Sequence, residues 1–341
     1  MVSLPGVLRR DQPAAELGEP TSGPPTVAIL YVGSRGRSGS TLLDRMLSQI
    51  TGLTGGGEIR LVWSWGVRAN LPCGCGAPFL GCPFWSAVGE RAFDGWSRSL
   101  ADEVLALERS LKRIRYLPFL LSGKTPRGYR ARHHRYGELQ LQLYRAIATV
   151  SAADVVIDSS KDPAHAALLA RTPGFTVGVV HLVRDSRAVV HSWRKAFQRP
   201  DVGARAMEMP RDSLPGAIVR YVIYNALYEL LPLADIPRVL VRYESLVTDP
   251  RRELKRILAL LGRSVADEHF SFLGDRDADL GVHHTIAGNP SRKDRGRVAL
   301  HVDDEWKRSL PRPQRILVLV ATWPMLVRYG YLRLPHIERP R

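Results

Sequence analysis

Short apolar runs recur along this chain, each followed by a polar turn and then by apolar residues at helical spacing. Val27-Ala28-Ile29-Leu30-Tyr31-Val32 is the first such run, continuous rather than alternating. A strand of this kind is buried on both faces, as in a parallel sheet. A turn rich in Gly and Ser follows, then Leu42, Leu43, Met46, Leu47 and Ile50 on one face of a helix. The same unit returns at Val155-Val156-Ile157, which ends at Asp158. There Asp162-Pro163 supplies an N-cap and an N1 proline for the next helix. A third strand is expected at Val177 to Val183 with a helix from about Ser186 to Phe197, and a fourth at Val239-Leu240-Val241. Behind the fourth, Asp249-Pro250 opens a helix with Leu254, Ile257, Leu258 and Leu261 inward and Gly262 closing it.

Strand alternating with helix implies right-handed βαβ units, hence an α/β fold of three layers around a central parallel sheet. Residues 1–25 read as a flexible leader, punctuated by Pro5, Pro13, Pro20, Pro24 and Pro25 without apolar periodicity. Residues 26–341 then form one large domain. Within it, about 85–150 is mostly helical and basic, and reads as an insertion or lid. No internal repeat is evident.

The charge narrows the choice of partner. Lys and Arg number 49 against 33 Asp and Glu, a net charge of +16, and the excess is spread along the chain. A broad positive field attracts phosphates, sulfates, nucleic acid or anionic lipid. No base-reading module accompanies it, so no specific nucleic-acid partner is expected. The N-terminus lacks a signal-peptide core, and the longest apolar stretch, Ile316 to Val327, is too short for a bilayer and contains Pro324. These features, with three clustered cysteines, point to a reducing, cytoplasmic setting, and the basic surface leaves loose peripheral membrane contact open.

Three strand-to-helix junctions carry unusual polar residues, and ligands of open parallel sheets bind at the carboxyl ends of strands. The first is Gly33-Ser34-Arg35-Gly36-Arg37-Ser38-Gly39-Ser40-Thr41. Its glycines allow backbone amides and the following helix start to hold a phosphate. Counting back from Gly39, however, the first glycine of an ATP-type P-loop falls on Ser34 and the lysine on Ser40. The loop therefore suits a phosphate without the machinery for a triphosphate and magnesium. At the second junction, Asp158-Ser159-Ser160-Lys161-Asp162-Pro163, Lys161 offers a fixed ammonium to a transferring group. The third is Arg184-Asp185 with Ser192 eight residues on, where an arginine and a helix hydroxyl grip one phosphate. Two phosphate grips imply a ligand phosphorylated at two separate places.

These motifs resemble the sulfotransferases that use 3′-phosphoadenosine 5′-phosphosulfate (PAPS), whose fold is P-loop-like. The likeness is greatest to bacterial members, with tyrosylprotein sulfotransferases as more distant relatives. Arg37-Ser38-Gly39-Ser40-Thr41 is similar to the family's 5′-phosphosulfate loop, and Arg184 to Ser192 to its 3′-phosphate motif. The resemblance implies transfer of a sulfuryl group from PAPS to a hydroxyl acceptor: carbohydrate, lipid, small molecule or peptide. It implies a general base at Glu58, after Gly55-Gly56-Gly57, and a catalytic lysine at Lys161. Arg37 would hold the 5′-phosphate. His284 to Arg292 is similar to the loop that closes over the adenosine and 3′-phosphate, with Asn289 and Arg292 in contact, and Tyr243 is expected to touch the nucleotide. No metal is expected in the transfer, since fixed cations replace it. Two departures stand out. The loop carries Ser40-Thr41 where the family has two threonines, and a basic residue expected one turn after Ser192 falls on Ala196, beside Lys195.

Alternatives remain at residue level. His284 rivals Glu58 as base, although an ordinary surface histidine is the blander reading beside His283. A nucleotide or small-molecule kinase of related fold is the rival function, disfavoured by the missing loop lysine. Cys73, Cys75 and Cys82 are close enough to bind zinc, with His133 or His134 as a fourth ligand, but free or transiently oxidised thiols are the favoured reading. Trp63 and Trp65 suit either an acceptor pocket or the core, with the core favoured.

Overall fold

The computed structural model describes residues 26–112, 116, 126–195, 198–199, 207–208 and 211–332. The leader and Ala196 therefore lie outside the described residues. Five parallel strands form the central sheet: β1 (Val27–Gly33), β2 (Leu53–Gly55), β3 (Val155–Asp158), β4 (Phe175–Val183) and β7 (Arg238–Arg242), in the order β2-β3-β1-β4-β7. β1 lies at the centre, with Ala28 opposite Val155 on one side and Gly33 opposite His181 on the other. Because the chain leaves β1 toward opposite neighbours, the carboxyl end of β1 is the topological switch point.

Alternation along β1 builds two cores. Ile29 and Tyr31 face a layer that includes Val156, Val179, Leu143, Tyr144, Ile147 and Trp85. Leu30 and Val32 face the other layer, with Ile157, Leu182, Val241, Leu43, Leu47, Leu254 and Ile257. Both faces are covered, so the strands are mostly apolar, with polar residues such as Asp158 of β3 and His181 of β4 as exceptions. The helices of the second layer are α1 (Ser40–Leu47) and α9 (Pro250–Ala259). The first layer holds α2 (Pro83–Phe93), α3 (Arg98–Leu111), α4 (Arg127–Ser151) and α5 (Pro163–Ala170). Residues 85–150 were expected as an insertion or lid. Among those described, α4 lies against the sheet, and its Leu143, Tyr144 and Ile147 belong to the same core as β1.

Capping follows the sequence signals. The Asp162 carboxylate accepts from the amides of Ala164 and His165, and Asp249 from that of Arg252. Beyond β4, α6 (Ser186–Arg194) stops three residues short of the expected Phe197, because Lys195 is already extended. Then come α7 (Leu214–Leu230), the short α8 (Tyr243–Thr248), α10 (Trp306–Ser309) and α11 (Arg312–Arg328). Two small antiparallel ribbons complete the described elements: β5 (Gln198–Arg199) with β6 (Met207–Glu208), and β8 (Asp277–Leu280) with β9 (Gly296–Ala299). Among the described residues, no helix is long and apolar enough to cross a membrane.

Candidate active site

All five parallel strands end at one edge, and each delivers a polar group there. After β1, the Ser34 hydroxyl accepts from the amide of Gly36 (3.1 Å) and shapes the turn. Gly39 has φ +88°, and a Cβ there would lie 2.4 Å from the Tyr243 ring, so no larger residue fits. The first helical bond of α1 runs from Leu43 N to Gly39 O, which leaves the amides of Ser40, Thr41 and Leu42 ahead of it. Ser38 is buried and Arg37 half-buried, its guanidinium 5.3 Å from the Trp193 ring. Arg35 stacks closer on Trp193, at 3.8 Å, and pairs with Asp212 at 2.6 Å.

β2 and β3 bring Glu58 and Lys161 together. Lys161 Nζ donates to Glu58 Oε1 at 2.6 Å, with the side chains 15% and 18% exposed. Both positions are set by backbone that leaves little choice. Gly57 has φ +70°, and a Cβ there would meet the Ile286 carbonyl oxygen at 2.6 Å. Glu58 N donates to Ile286 O (2.9 Å), and Ile286 N to Gly56 O (2.9 Å). Lys161 itself has φ +61°. Tyr31, buried in the sheet, brackets the next residue, since its hydroxyl donates to Asp162 O and accepts from Asp162 N, both at 2.9 Å.

Beneath the pair lies a layer of buried carboxylates. Asp158 accepts from the Tyr144 hydroxyl (2.6 Å) and from Ser160 N (2.9 Å). Asp44, on α1, accepts from the Ser159 hydroxyl at 2.8 Å. Burial pushes the Asp44 carboxyl up to about 7, against the opposing pull of the Ser159 bond. Farther out, Glu108 pairs with Arg60 (3.1 Å) and Lys112 (3.0 Å), and Lys112 also pairs with Asp162.

Arg184, at the end of β4, reaches toward the first loop. It donates from Nη1 to Arg37 O (3.0 Å), and from Nη2 to the carbonyl (3.1 Å) and carboxylate (2.8 Å) of Asp303. Its guanidinium sits 4.7 Å from the Tyr243 ring, and the Tyr221 hydroxyl donates to its carbonyl (3.0 Å). Tyr243, first residue after β7, thus packs between the Gly39 turn and Arg184. Its hydroxyl donates to His301 O at 3.1 Å. Ser192 is half-buried on α6, the helix that Arg184 and Asp185 lead into.

The late segment divides. Asn289 N donates to Thr41 Oγ1 at 3.2 Å, so Asn289 does border the first loop. Arg292, expected at the nucleotide, is 1% exposed and donates instead to Thr285 O (3.0 Å) and Pro72 O (2.9 Å). Its guanidinium thus ties its own segment to the loop at Pro72, one nitrogen donating to each carbonyl. His283 is buried, not on the surface, and bonds Thr285 Oγ1 at 2.9 Å. Burial lowers it to about 4. His284 is half-buried, and its Nδ1 faces Cys82 and Cys73 rather than Glu58 and Lys161. The zinc alternatives His133 and His134 lie elsewhere. His133 Nε2 is 3.0 Å from Leu168 O, and His134 is 3.5 Å from Glu138. Trp63 is a core residue, 1% exposed and packed on Phe93 and Trp96, and Trp65 packs against the same core.

Tyr31, Asp44 and Asp303 escaped the sequence reading. For Asp44 a signal existed: an Asp-Arg pair inside the apolar face Leu42 to Leu47 of a short helix. A cavity of about 660 Å³, lined by Thr26, Arg91, Arg145 and Asp154, opens at the opposite, amino edge of the sheet.

Comparison with known proteins gives structural likeness without sequence likeness. No family model matches the chain, and no curated protein matches it in sequence. Three solved structures are similar along most of its length. All three are sulfotransferases. The sulfotransferase domain of the Synechococcus PCC 7002 olefin synthase is 21% identical (TM-score 0.45), covering 92% of this chain and 98% of its own. The sulfotransferase domain of the curacin biosynthetic pathway is 19% identical (TM-score 0.49), covering 92% and 100%. Sulfotransferase STF9 from Mycobacterium avium is 14% identical (TM-score 0.43), covering 89% and 77%.

Proposed function

We propose that this chain transfers a sulfuryl group from PAPS to a hydroxyl acceptor. The observation that carries the reading is the contact of Lys161 with Glu58 at 2.6 Å, on the sheet edge where Arg184 donates to the carbonyl of Arg37. On this reading one edge would supply a base, an ammonium and two phosphate grips. The fit to an adenosine carrying two separated anions rests on two features. The Gly39 turn admits close approach of a 5′-phosphate to backbone amides, with Arg37, Ser38, Ser40 and Thr41 around it. Arg184 already holds an anion, the Asp303 carboxylate, whose place a 3′-phosphate would take. Ser192, Tyr243 and Asn289 would flank the adenosine and its 3′-phosphate, while Arg292 would act by holding the segment in shape.

In this scheme Glu58 accepts the proton of the acceptor hydroxyl as the oxygen attacks sulfur. The S–O bond to the 5′-phosphate breaks, and its electron pair leaves with the phosphate oxygen, which Lys161 stabilises. In the resting enzyme the two groups hold each other, and substrate separates them. Positioning and fixed positive charge supply the catalysis, as in phosphoryl transfer.

The test is thermal unfolding with 3′-phosphoadenosine 5′-phosphate against magnesium ATP, followed by a screen of hydroxyl acceptors. A ligand at 100 times its Kd stabilises by about 2.7 kcal/mol. The bisphosphate should raise the Tm by several degrees and ATP should not. Stabilisation by magnesium ATP alone would turn the assignment toward a kinase.

A further inference from the structure

Outside the sheet edge, the three cysteines meet a partner from far along the chain. One ligand atom from each of Cys73, Cys75, Cys82 and His284 lies within 4.8 Å of all the others. Cys82 Sγ is 3.7 Å from Cys73 Sγ and 3.7 Å from Cys75 Sγ. His284 Nδ1 is 3.3 Å from Cys82 Sγ and 3.8 Å from Cys73 Sγ. A tetrahedral ion with Zn–S about 2.3 Å and Zn–N about 2.0–2.1 Å requires S···S near 3.8 Å and S···N near 3.6 Å. A disulfide requires about 2.05 Å and would leave one thiol over. We propose that these four residues form a structural zinc site.

The surroundings are built for such a site. Cys73 N donates to Ala77 O and Gly76 N to Cys73 O, both at 2.9 Å, so the turn folds Cys75 back beside Cys73. Pro83 starts α2 and leaves Cys82 at its N-cap. On the other side, the Trp85 indole donates to His284 O (2.9 Å), and the Phe84 ring stacks on the imidazole at 4.8 Å and 12°. That stacking fixes the ring plane with Nδ1 toward the sulfurs, as outer-shell contacts do for metal-ligating histidines. Gly74 N donates to Thr285 O (3.0 Å), and a Cβ on Gly74 would meet His283 O at 2.7 Å, so the two segments approach as closely as glycine allows. Binding displaces three thiol protons and leaves the site with one net negative charge. Arg295, which donates to Cys75 O (3.0 Å), supplies opposite charge.

Three sulfurs and one imidazole suit zinc, and four protein ligands leave no open position for substrate. The role is a staple. Two residues beyond His284, Ile286 pairs with Gly56 and Glu58, and Asn289 N reaches Thr41. The ion thus fastens the Cys-rich loop to the segment bordering the sheet edge, whatever reaction occurs there.

The full chain, purified without chelator from zinc-supplemented cells, should contain about one zinc per molecule by elemental mass spectrometry. X-ray absorption should fit three sulfurs near 2.3 Å and one nitrogen near 2.0–2.1 Å. Cobalt-reconstituted protein should show tetrahedral d–d and thiolate charge-transfer bands. Cys75→Ser, at a half-buried ligand, and His284→Ala should each lose zinc to a chelator at least tenfold faster than the parent protein. Less than about 0.1 zinc per chain, together with three freely titrating thiols or a disulfide in the folded protein, would overturn the proposal. So would iron in place of zinc, or both variants holding zinc as the parent does. The parent's metal content and cobalt spectrum decide even if the variants fold poorly, and neither depends on transfer activity.

Discussion

Replacing Asp44 by asparagine should remove a pH-dependent weakness from the fold. Asp44 is 1% exposed, sits on the helix that follows the Gly39 turn, and accepts one bond from Ser159 at 2.8 Å. Burial raises its carboxyl from 3.8 to about 7. A carboxyl with a raised folded pKa holds its proton more tightly in the native state than in the unfolded chain. Its stabilising contribution is complete below the unfolded value and is lost as pH rises through about 7. The full loss is about 4 kcal/mol, of which roughly 2.5 kcal/mol falls between pH 5 and pH 8. Asparagine keeps the shape and can still accept the Ser159 hydroxyl, but carries no charge to desolvate. Buried His181, lowered to about 3, and His283, lowered to about 4, change stability in the opposite direction below pH 6.5. Those histidines are common to both proteins, so the difference between them isolates Asp44. Thermal unfolding of parent and D44N at pH 5, 6, 7 and 8 is the assay. At about 2.1 cal/mol/K per residue over roughly 300 ordered residues, 2.5 kcal/mol corresponds to about 4 °C. The variant should gain that much on the parent between pH 5 and pH 8. Parallel pH curves would show that Asp44 is charged in both states and that the reasoning from burial is wrong.

Two further substitutions probe the sheet edge. Glu58→Gln keeps an acceptor for Lys161 but cannot take a proton, so turnover should fall roughly 10²–10⁴-fold while bisphosphate still raises the Tm. Near-normal turnover would remove Glu58 from the chemistry. Gly39→Ala places a Cβ 2.4 Å from the Tyr243 ring at φ +88°. It should cost about 1–3 kcal/mol and abolish the nucleotide-induced Tm shift. The matched control is Gly262→Ala, where φ is +65° but no atom lies within 4 Å of the new Cβ, and the shift should survive.

Most strands of the central sheet were legible because burial on both faces leaves them continuous apolar runs. The exception is Leu53–Gly55, three residues of which the last is glycine. It belongs to the sheet only because β3 offers it a partner, Leu53 opposite Val155, and that partner is remote in sequence. The strand-end residues Arg37, Lys161 and Arg184 were legible for a related reason: topology alone sends every parallel strand's carboxyl end to the same edge. Sequence could not say which charges meet once there. Asp303 lies 119 residues from the Arg184 it binds, and His284 lies 202 from Cys82. No local periodicity reports such pairings. For the same reason the sequence offered His133 or His134 as a possible fourth ligand beside the thiols, whereas the fold places His284 there.

The same limit explains how the Glu58–Lys161 contact persists. A non-glycine residue at φ +61° costs about 1–2 kcal/mol, and the lysine side chain would gain rotamer freedom by letting go of the carboxylate. The contact is held because its backbone is fixed from two independent directions. Tyr31, in the central strand, clamps Asp162 through both its amide and its carbonyl. Ile286, from a segment more than 200 residues beyond Glu58, pairs with the backbone on either side of Gly57. Strain at Lys161, opposed by a buried tyrosine on the neighbouring strand, marks a place where the fold gives up stability to set a distance. Neither clamp touches the charged atoms themselves, so the proposed mechanism, in which substrate parts the ammonium from the carboxylate, requires no change in the backbone that aligns them.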